Sequence, residues 1–258
     1  MEVTFVIIDC HHHIGEQTGP DLVFEWSESV ADILKAMDEH GVDITILQPL
    51  GGASDPRRVH DQIAELSVRY PGRIFGICSV NPRLFGPDGT YREIERCVRQ
   101  LGFVGIKHHS LAFALDPMSA TADPIWQAAS DLGVPVMCCT GPFALPFTDP
   151  ANLIGRIRQF PHVPVILAHG CDYSTWRAAL NVAGLSPNVH IDSSLSLGIY
   201  LRRAIDALGP DRVLLACEHS TNVGPELAKV RALKLAPEDE RKVLGLNALR
   251  LFRLPLPG

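Results

Sequence analysis

The chain lacks the sequence features of several broad classes of protein. Lysine and arginine number 23 against 29 aspartate and glutamate residues, so the net charge is −6 with histidine neutral. No basic excess indicates a nucleic-acid surface or a basic membrane patch. The apolar runs are strand-sized and too short for a membrane-spanning helix, and no basic region precedes the short apolar run near the N-terminus. We therefore expect a cytoplasmic protein that binds neither nucleic acid nor membrane.

Neither a disulfide framework nor an internal linker is indicated. The seven cysteines are odd in number and scattered through the chain, which is typical of reduced, buried thiols. No low-complexity tract or long polar linker divides the 258 residues, so we expect a single domain over residues 1–258. A homodimer is expected from its frequency among oligomers.

What the chain does contain is a repeated unit of about 30 residues, an apolar β-branched run followed by a turn and an amphipathic helical pattern. Strands are predicted at residues 5–9, 44–47, 74–80, 103–106, 134–138, 163–168, 189–191 and 213–216. Helices are predicted at residues 27–40, 56–69, 91–100, 124–131, 151–159, 173–182, 201–208, 225–235 and 237–252.

Eight strands that alternate with helices predict parallel strands joined by crossover helices. The length suits a closed (β/α)8 TIM barrel, which typically has about 250 residues. An open doubly wound sheet is the competing architecture, and its dinucleotide-binding form requires a glycine fingerprint after the first strand. The first strand is followed instead by a histidine cluster, so we predict the barrel.

The first strand ends in three consecutive histidines, of which His11 and His13 are two residues apart. Residues at i and i+2 on a strand point to the same face, so both imidazoles can converge on one metal ion. His12 should point elsewhere. The alternative is that the three histidines form a solvated turn or the remnant of a tag, which the preceding strand pattern disfavours.

Further polar side chains follow other strands at the same predicted rim, where barrel active sites lie. His169 could be a ligand or could orient the attacking water or a substrate oxygen, although a lone histidine is more often a core or capping group. Glu218 could bind a metal and accept a proton from its bound water. Lys107 and His109 share a strand face, and Lys107 could hold a substrate carboxylate. Cys139 could be a zinc ligand, or simply a small buried side chain.

Four segments, in order along the chain, resemble motifs of the amidohydrolase superfamily, in particular the amidohydrolase-related group that includes aminocarboxymuconate semialdehyde decarboxylase. Residues 8–13 resemble its D-x-H-x-H motif, and residues 102–109 its G-F-x-G-I-K-x-H motif. Residues 164–170 resemble P-V-x-x-A-H-G, and residues 244–252 resemble L-G-x-N-A-x-R-L-F.

The resemblance implies a distorted barrel with one divalent metal, usually zinc. The two first-strand histidines that bind the metal in the family correspond to His11 and His13, and the catalytic sixth-strand histidine corresponds to His169. The family's fifth-strand histidine and eighth-strand aspartate ligands are replaced by Cys139 and Glu218. Both can coordinate a metal, and a thiolate favours zinc. Two changes among four ligands also leave open that metal binding is weakened or lost.

Three functions follow from this pattern. The leading hypothesis is a hydrolase in which a zinc-bound water, assisted by His169 and Glu218, attacks an ester, lactone or amide of a small carboxylated substrate held by Lys107 and His109. The alternative is a non-oxidative decarboxylase of an unsaturated or aromatic acid. The third is a non-catalytic or metal-free barrel.

The loops after strands one, two, four and five are expected to select the substrate. They comprise residues 15–26, 49–52, 111–122 and 141–150, and their aromatic residues Phe113, Phe143 and Phe147 could line an apolar pocket.

Overall fold

A computed structural model describes residues 5–16, 27–141 and 146–255 of the chain. The strands are β1 (Ile8–Glu16), β2 (Ser27–Glu28), β3 (Ile44–Pro49), β4 (Ile74–Ser79), β5 (Gly105–His108), β6 (Val136–Cys139), β7 (Val165–Ala168), β8 (Val189–Asp192) and β9 (Val213–Leu214). The helices are α1 (Val30–His40), α2 (Pro56–Arg69), α3 (Pro82–Arg99), α4 (Ser110–Phe113), α5 (Asp123–Leu132), α6 (Ile154–Gln159), α7 (Trp176–Gly184), α8 (Gly198–Leu208), α9 (Val223–Ala232), α10 (Pro237–Arg241) and α11 (Asn247–Leu251). Within these ranges no helix combines the length and the hydropathy that crossing a membrane requires.

Eight parallel strands form a closed barrel, which confirms the predicted (β/α)8 fold. The strands pair in the order β1-β3-β4-β5-β6-β7-β8-β9, and β2 adds an antiparallel pair to the end of β1. The chain after β9 runs beside β1 and closes the cylinder. There the N–H of Cys10 donates to the carbonyl of Leu215 (3.0 Å) and the N–H of Glu218 donates to the carbonyl of His11 (2.7 Å).

Alternating strand residues build two apolar cores. Those that face the inside of the barrel fill it together with Phe252 and Leu254 from the C-terminal segment, and they are Ile8, Cys10, Ile44, Ile46, Ile77, Met137, Ile166, Ala168, Leu214 and Ala216. The alternate residues pack outward against the helices. Strands covered on both faces read as continuous apolar runs, which is why the sequence predicted them well.

Local signals set the helix ends. The side chain of Ser29 accepts a hydrogen bond from the N–H of Asp32 and so caps the start of α1. Gly41, with a φ of 72°, follows the last residue of the helix and caps its end. Ser27 and Glu28, predicted as the first turn of this helix, instead pair with Gly15 and Glu16 at the end of β1. That prediction is wrong because strand pairing overrides a local helical pattern.

The first strand is longer than predicted and continues through the histidine cluster to Glu16. Its pairing with β3 shifts between Asp9 and His12, as in a β-bulge. A bulge re-aims the side chains that follow it. As a result, His11 contacts residues at the barrel mouth, while His12 Nδ1 lies 2.6 Å from Asp9 Oδ2.

A second buried polar cluster lies outside the barrel, between α2, β4 and α3. Burial opposes the charged form of Glu93, but hydrogen bonds from His60 and Arg96 outweigh it and lower its pKa to about 2. The thiols of Cys78 and Cys97 lie close to the ring of His60. Both nitrogens of that ring have protein partners, Glu93 and the backbone N–H of Ser79, so the cluster is a hydrogen-bond network and not a metal site.

Candidate metal and active site

Buried polar side chains meet at the carboxyl ends of the parallel strands. His11 belongs to β1, Lys107 to β5 and Asp192 to β8, while His169 directly follows β7 and Glu218 lies beyond β9. All five are at most 5% exposed. Charged and polar groups in so dry a position at the rim of a barrel indicate a functional site.

Two of these residues have strained backbone conformations. His169 has a φ of 59° and Glu218 a φ of 70°, the left-handed region that residues with side chains seldom adopt. Such strain persists only where the surrounding structure maintains it, and it is concentrated at functional sites. Here it turns each side chain from the end of its strand into the barrel mouth.

His11, His13 and Glu218 place their ligand atoms around one small volume. Nε2 of His11 lies 2.7 Å from Oε1 of Glu218, and Nε2 of His13 lies 3.6 Å from Oε2 of the same carboxylate. The three ligand atoms lie within 4.8 Å of one another. Imidazole and carboxylate are ordinary ligands of zinc and manganese, so this donor set fits a divalent cation.

The contacts of His11 give a second reason to place a cation here. Its Nδ1 lies 2.8 Å from the Asp192 carboxylate, and its Nε2 lies 2.9 Å from Nζ of Lys107 as well as 2.7 Å from Glu218. With Lys107 and Glu218 charged, no protonation state of His11 satisfies both of the Nε2 contacts. A lone pair on Nε2 would face the carboxylate oxygen of Glu218, and a proton on Nε2 would face the ammonium of Lys107, so one of the two contacts is always repulsive. Oε1 of Glu218 is indeed buried without a hydrogen bond, and a cation between it and His11 would remove the conflict.

His13 is prepared to act as a ligand. Its Nδ1 donates to the carbonyl of Pro49 (3.1 Å), which leaves the lone pair on Nε2. Burial lowers the pKa of His13 to about 3, so the ring is neutral near pH 7. The side-chain amide of Gln48 donates to the same Nε2 at 3.3 Å, and its own oxygen is buried without a partner.

The pKa values of Glu218, His169 and His11 are shifted by burial and by the charges that surround these side chains. Burial works against ionised Glu218, but His11 and His169 outweigh it and hold the pKa of that carboxyl well below its usual range. Burial lowers the pKa of His169, whose Nε2 lies 3.5 Å from Glu218. Burial also opposes the charge on His11, yet the carboxylates of Glu218 and Asp192 raise its pKa.

The other predicted site residues lie nearby, but they do not join the His11–His13–Glu218 cluster. Cys139 ends β6 and is buried, and burial raises the pKa of its thiol to about 11. Among the described residues, neither cluster of metal-capable atoms at the barrel mouth includes Cys139. The ring of His109 lies 6.0 Å from that of His13, and its Nδ1 caps α4 by accepting from the N–H of Ala112.

Sequence reasoning assigned no role to three buried residues of the site, Asp192, Ser194 and Gln48. The available signal was a polar residue directly after an apolar strand, as in Leu47-Gln48 and Ile191-Asp192. That signal shows where a residue lies, but not which partner it meets.

The expected substrate loops are described only in part. Phe113 is buried and its ring lies 6.0 Å from that of His109, which places it beside the site. Phe147 is half-buried in a short helical turn. Residues 17–26 and Phe143 lie outside the described residues.

Comparison with known proteins agrees with this geometry. The chain matches the family model described as Amidohydrolase over residues 8–254. It is 31% identical over 285 residues to gamma-resorcylate decarboxylase of Polaromonas sp. (strain JS666 / ATCC BAA-500), with 86% of each chain covered.

Two solved structures share the fold. The 2,6-dihydroxybenzoate decarboxylase from Rhizobium is 22% identical with a TM-score of 0.76, and the alignment covers 97% of this chain and 99% of that one. The dihydroxybenzoic acid decarboxylase from Polaromonas sp. JS666, with bound manganese and the inhibitor 2-nitroresorcinol, is 20% identical with a TM-score of 0.75, covering 97% and 98%.

These relatives correct the leading functional hypothesis. The sequence favoured a hydrolase over a decarboxylase, and that choice is wrong because the curated relatives are decarboxylases. The motifs could not have made the distinction, since the same metal and histidine at the same rim support either reaction. The family match nonetheless identifies an enzyme and covers nearly all of the described residues. On the family match and the Polaromonas relative together, this chain belongs to the amidohydrolase family.

Proposed function

We propose that the chain is a metal-dependent, non-oxidative decarboxylase of a hydroxylated aromatic carboxylic acid. The observation that carries the proposal is the buried cluster of His11, His13 and Glu218 with His169 and Lys107 beside it. The relationship to gamma-resorcylate decarboxylase supports the reaction and the substrate class. We expect the substrate to be a small molecule, and the homodimer and the cytoplasmic location stay predictions.

His11, His13 and Glu218 would hold the divalent metal. When bound, the ion would supply a Lewis acid that orients and polarises the oxygens of the substrate. The earlier preference for zinc depended on the thiolate of Cys139. With nitrogen and oxygen donors alone, manganese is equally suitable. Cys139 as a fourth ligand stays a prediction.

Lys107 and His109 would bind the substrate. The side-chain nitrogen of Lys107 would attract an anionic carboxylate, and the complete burial of Lys107 would strengthen that attraction. His109 and Phe113 lie on the side of β5 and α4, where an aromatic ring could rest against them.

His169 would move the proton. Because burial lowers its pKa, the neutral ring can accept the proton of the substrate's hydroxyl at Nε2. The imidazolium then returns this proton to the ring carbon that carries the carboxylate. The carbon–carbon bond breaks, its electron pair restores the aromatic ring, carbon dioxide leaves, and solvent reprotonates the phenolate.

The test uses the full chain loaded with manganese or with zinc. With 2,6-dihydroxybenzoate as substrate, we expect carbon dioxide and 1,3-dihydroxybenzene, and in D2O one deuterium on the carbon that carried the carboxylate. Chelation should stop turnover and added metal should restore it. His169→Gln should retain the metal but lose the reaction.

A matched substrate tests the role of the ring hydroxyl. 3,5-Dihydroxybenzoate has the same composition but no hydroxyl beside the carboxylate, and we expect no turnover. If a panel of hydroxybenzoates releases no carbon dioxide from protein that contains about one metal per chain, the proposed function is wrong.

A further inference from the structure

The carboxylate of Asp192 joins the two histidines on either side of the site. Its Oδ2 lies 2.8 Å from Nδ1 of His11. Its Oδ1 accepts from the backbone N–H of His169 (2.9 Å), from the backbone N–H of Ser194 (3.1 Å) and from the hydroxyl of Ser194 (2.7 Å). Asp192 and Ser194 are both fully buried. No water is therefore needed to explain these contacts, and each hydrogen can be assigned.

The assignment follows from the donor inventory. An ionised carboxylate only accepts, so the single hydrogen of the Ser194 hydroxyl points to Asp192. Oγ of Ser194 also lies 2.8 Å from Nδ1 of His169. With its hydrogen already used, the hydroxyl can only accept there, so Nδ1 of His169 carries a proton. The lone pair of the neutral ring is then on Nε2, which faces Glu218.

The opposite assignment fails on distance. If the hydroxyl donated to His169 instead, Oγ of Ser194 and Oδ1 of Asp192 would be two acceptors 2.7 Å apart inside the protein. Two acceptors in contact inside the protein leave both atoms without a donor, which is strongly unfavourable. Only the first arrangement is therefore consistent with these distances.

The segment that carries Ser194 is itself held in place. Nζ of Lys229 donates to the carbonyls of Ser193 (2.7 Å) and Ser196 (3.0 Å). The hydroxyl of Ser196 donates to the carbonyl of Ser193 at 2.6 Å, and Leu195 between them has a φ of 51°. The position of the Ser194 hydroxyl is therefore set by the fold and does not need a ligand.

We infer that Ser194 is a positioning residue for His169. Its hydroxyl donates to Asp192 and accepts from Nδ1 of His169, which keeps His169 in the tautomer that carries its proton on Nδ1 and leaves the lone pair of Nε2 available to the substrate. Its consequence for catalysis rests on the proposed function, in which Nε2 of His169 accepts and returns the proton. The tautomer of His169 does not depend on the proposed function, so it can be tested without any substrate.

The experiment is ¹⁵N NMR of histidine side chains in the full chain, labelled at histidine and loaded with zinc, which is diamagnetic. The signals of His169 are identified by their loss in His169→Gln. We expect wild type to show the proton on Nδ1. Ser194→Ala should move His169 toward the Nε2-protonated form that free histidine prefers, and Ser194→Thr, which keeps a hydroxyl, should restore the wild-type signal. Ser67→Ala, which removes a hydroxyl on α2 far from the site, should leave it unchanged.

An Nε2 proton in wild type, or an unchanged His169 spectrum in Ser194→Ala, would overturn the inference. If the decarboxylation assay succeeds, Ser194→Ala should also lower kcat by about 10–100-fold with KM nearly unchanged, and Ser194→Thr should recover most of it. Equal kcat in Ser194→Ala and wild type would likewise overturn it. If no substrate is turned over, the proposed function fails while the NMR result still decides the role of Ser194.

Discussion

Asp192→Asn should weaken metal binding even though Asp192 is not among the proposed ligands. The Oδ1 position receives three donors, so the oxygen of an asparagine side chain must stay there. Its NH2 group is then directed at Nδ1 of His11, which at present donates to Oδ2 at 2.8 Å. Two donors cannot face each other, so His11 has to move its proton to Nε2, the atom that would bind the metal.

The size of the effect can be estimated from comparable carboxylate–histidine pairs behind a metal. Loss of such a partner typically weakens metal binding or activity by about 10–100-fold, which corresponds to about 1.4–2.7 kcal/mol. The free energy of unfolding should change by less than the free energy of metal binding, because the asparagine oxygen still accepts the three hydrogen bonds that hold the strand ends together.

Competition titration of the chelator-treated protein with zinc measures the affinity directly. Asp43→Asn is the matched control, since that carboxylate accepts from the backbone N–H of Ile7 (2.8 Å), away from the barrel mouth. A dissociation constant of Asp192→Asn within twofold of wild type would refute the reasoning about the His11 tautomer.

Three further changes test separate parts of the structure. Lys107→Met should leave the metal content unchanged but lower kcat/KM for decarboxylation by about 10²-fold, and equal kinetics would exclude a role in holding the substrate. Gly51→Ala would place a Cβ 2.4 Å from Nε2 of His109, so we expect a loss of about 1–3 kcal/mol of stability and a raised KM, measured by chemical denaturation and steady-state kinetics. Because the pKa of Glu93 is lowered to about 2 from 4.5, its contribution to stability is present above pH 4.5 and is lost as the pH falls toward 2. Glu93→Gln should therefore show a flatter fall in the free energy of unfolding across that window, and an unchanged slope would contradict the assignment.

Much of the architecture could be predicted because its causes are local. Strands buried on both faces are apolar along their whole length, and helices are marked by periodicity and by caps such as Ser29 and Gly41. Where a long-range partner decided the conformation, prediction failed. Ser27 and Glu28 form a strand because Gly15 and Glu16 are beside them, and nothing within the helical pattern signals that pairing.

The site divides in the same way. The amino-acid sequence alone determined the barrel and its rim of polar residues, through the alternation of strands and helices and the polar residues that follow the strands. It also determined the candidate pair His11 and His13, through their spacing along one strand. Only the tertiary structure decided which side chains meet. The contact of His11 with Asp192, 181 residues away, exists because the barrel closes. Which atoms form hydrogen bonds depends on differences of tenths of an ångström between atoms, and the spacing of residues along the chain cannot predict these.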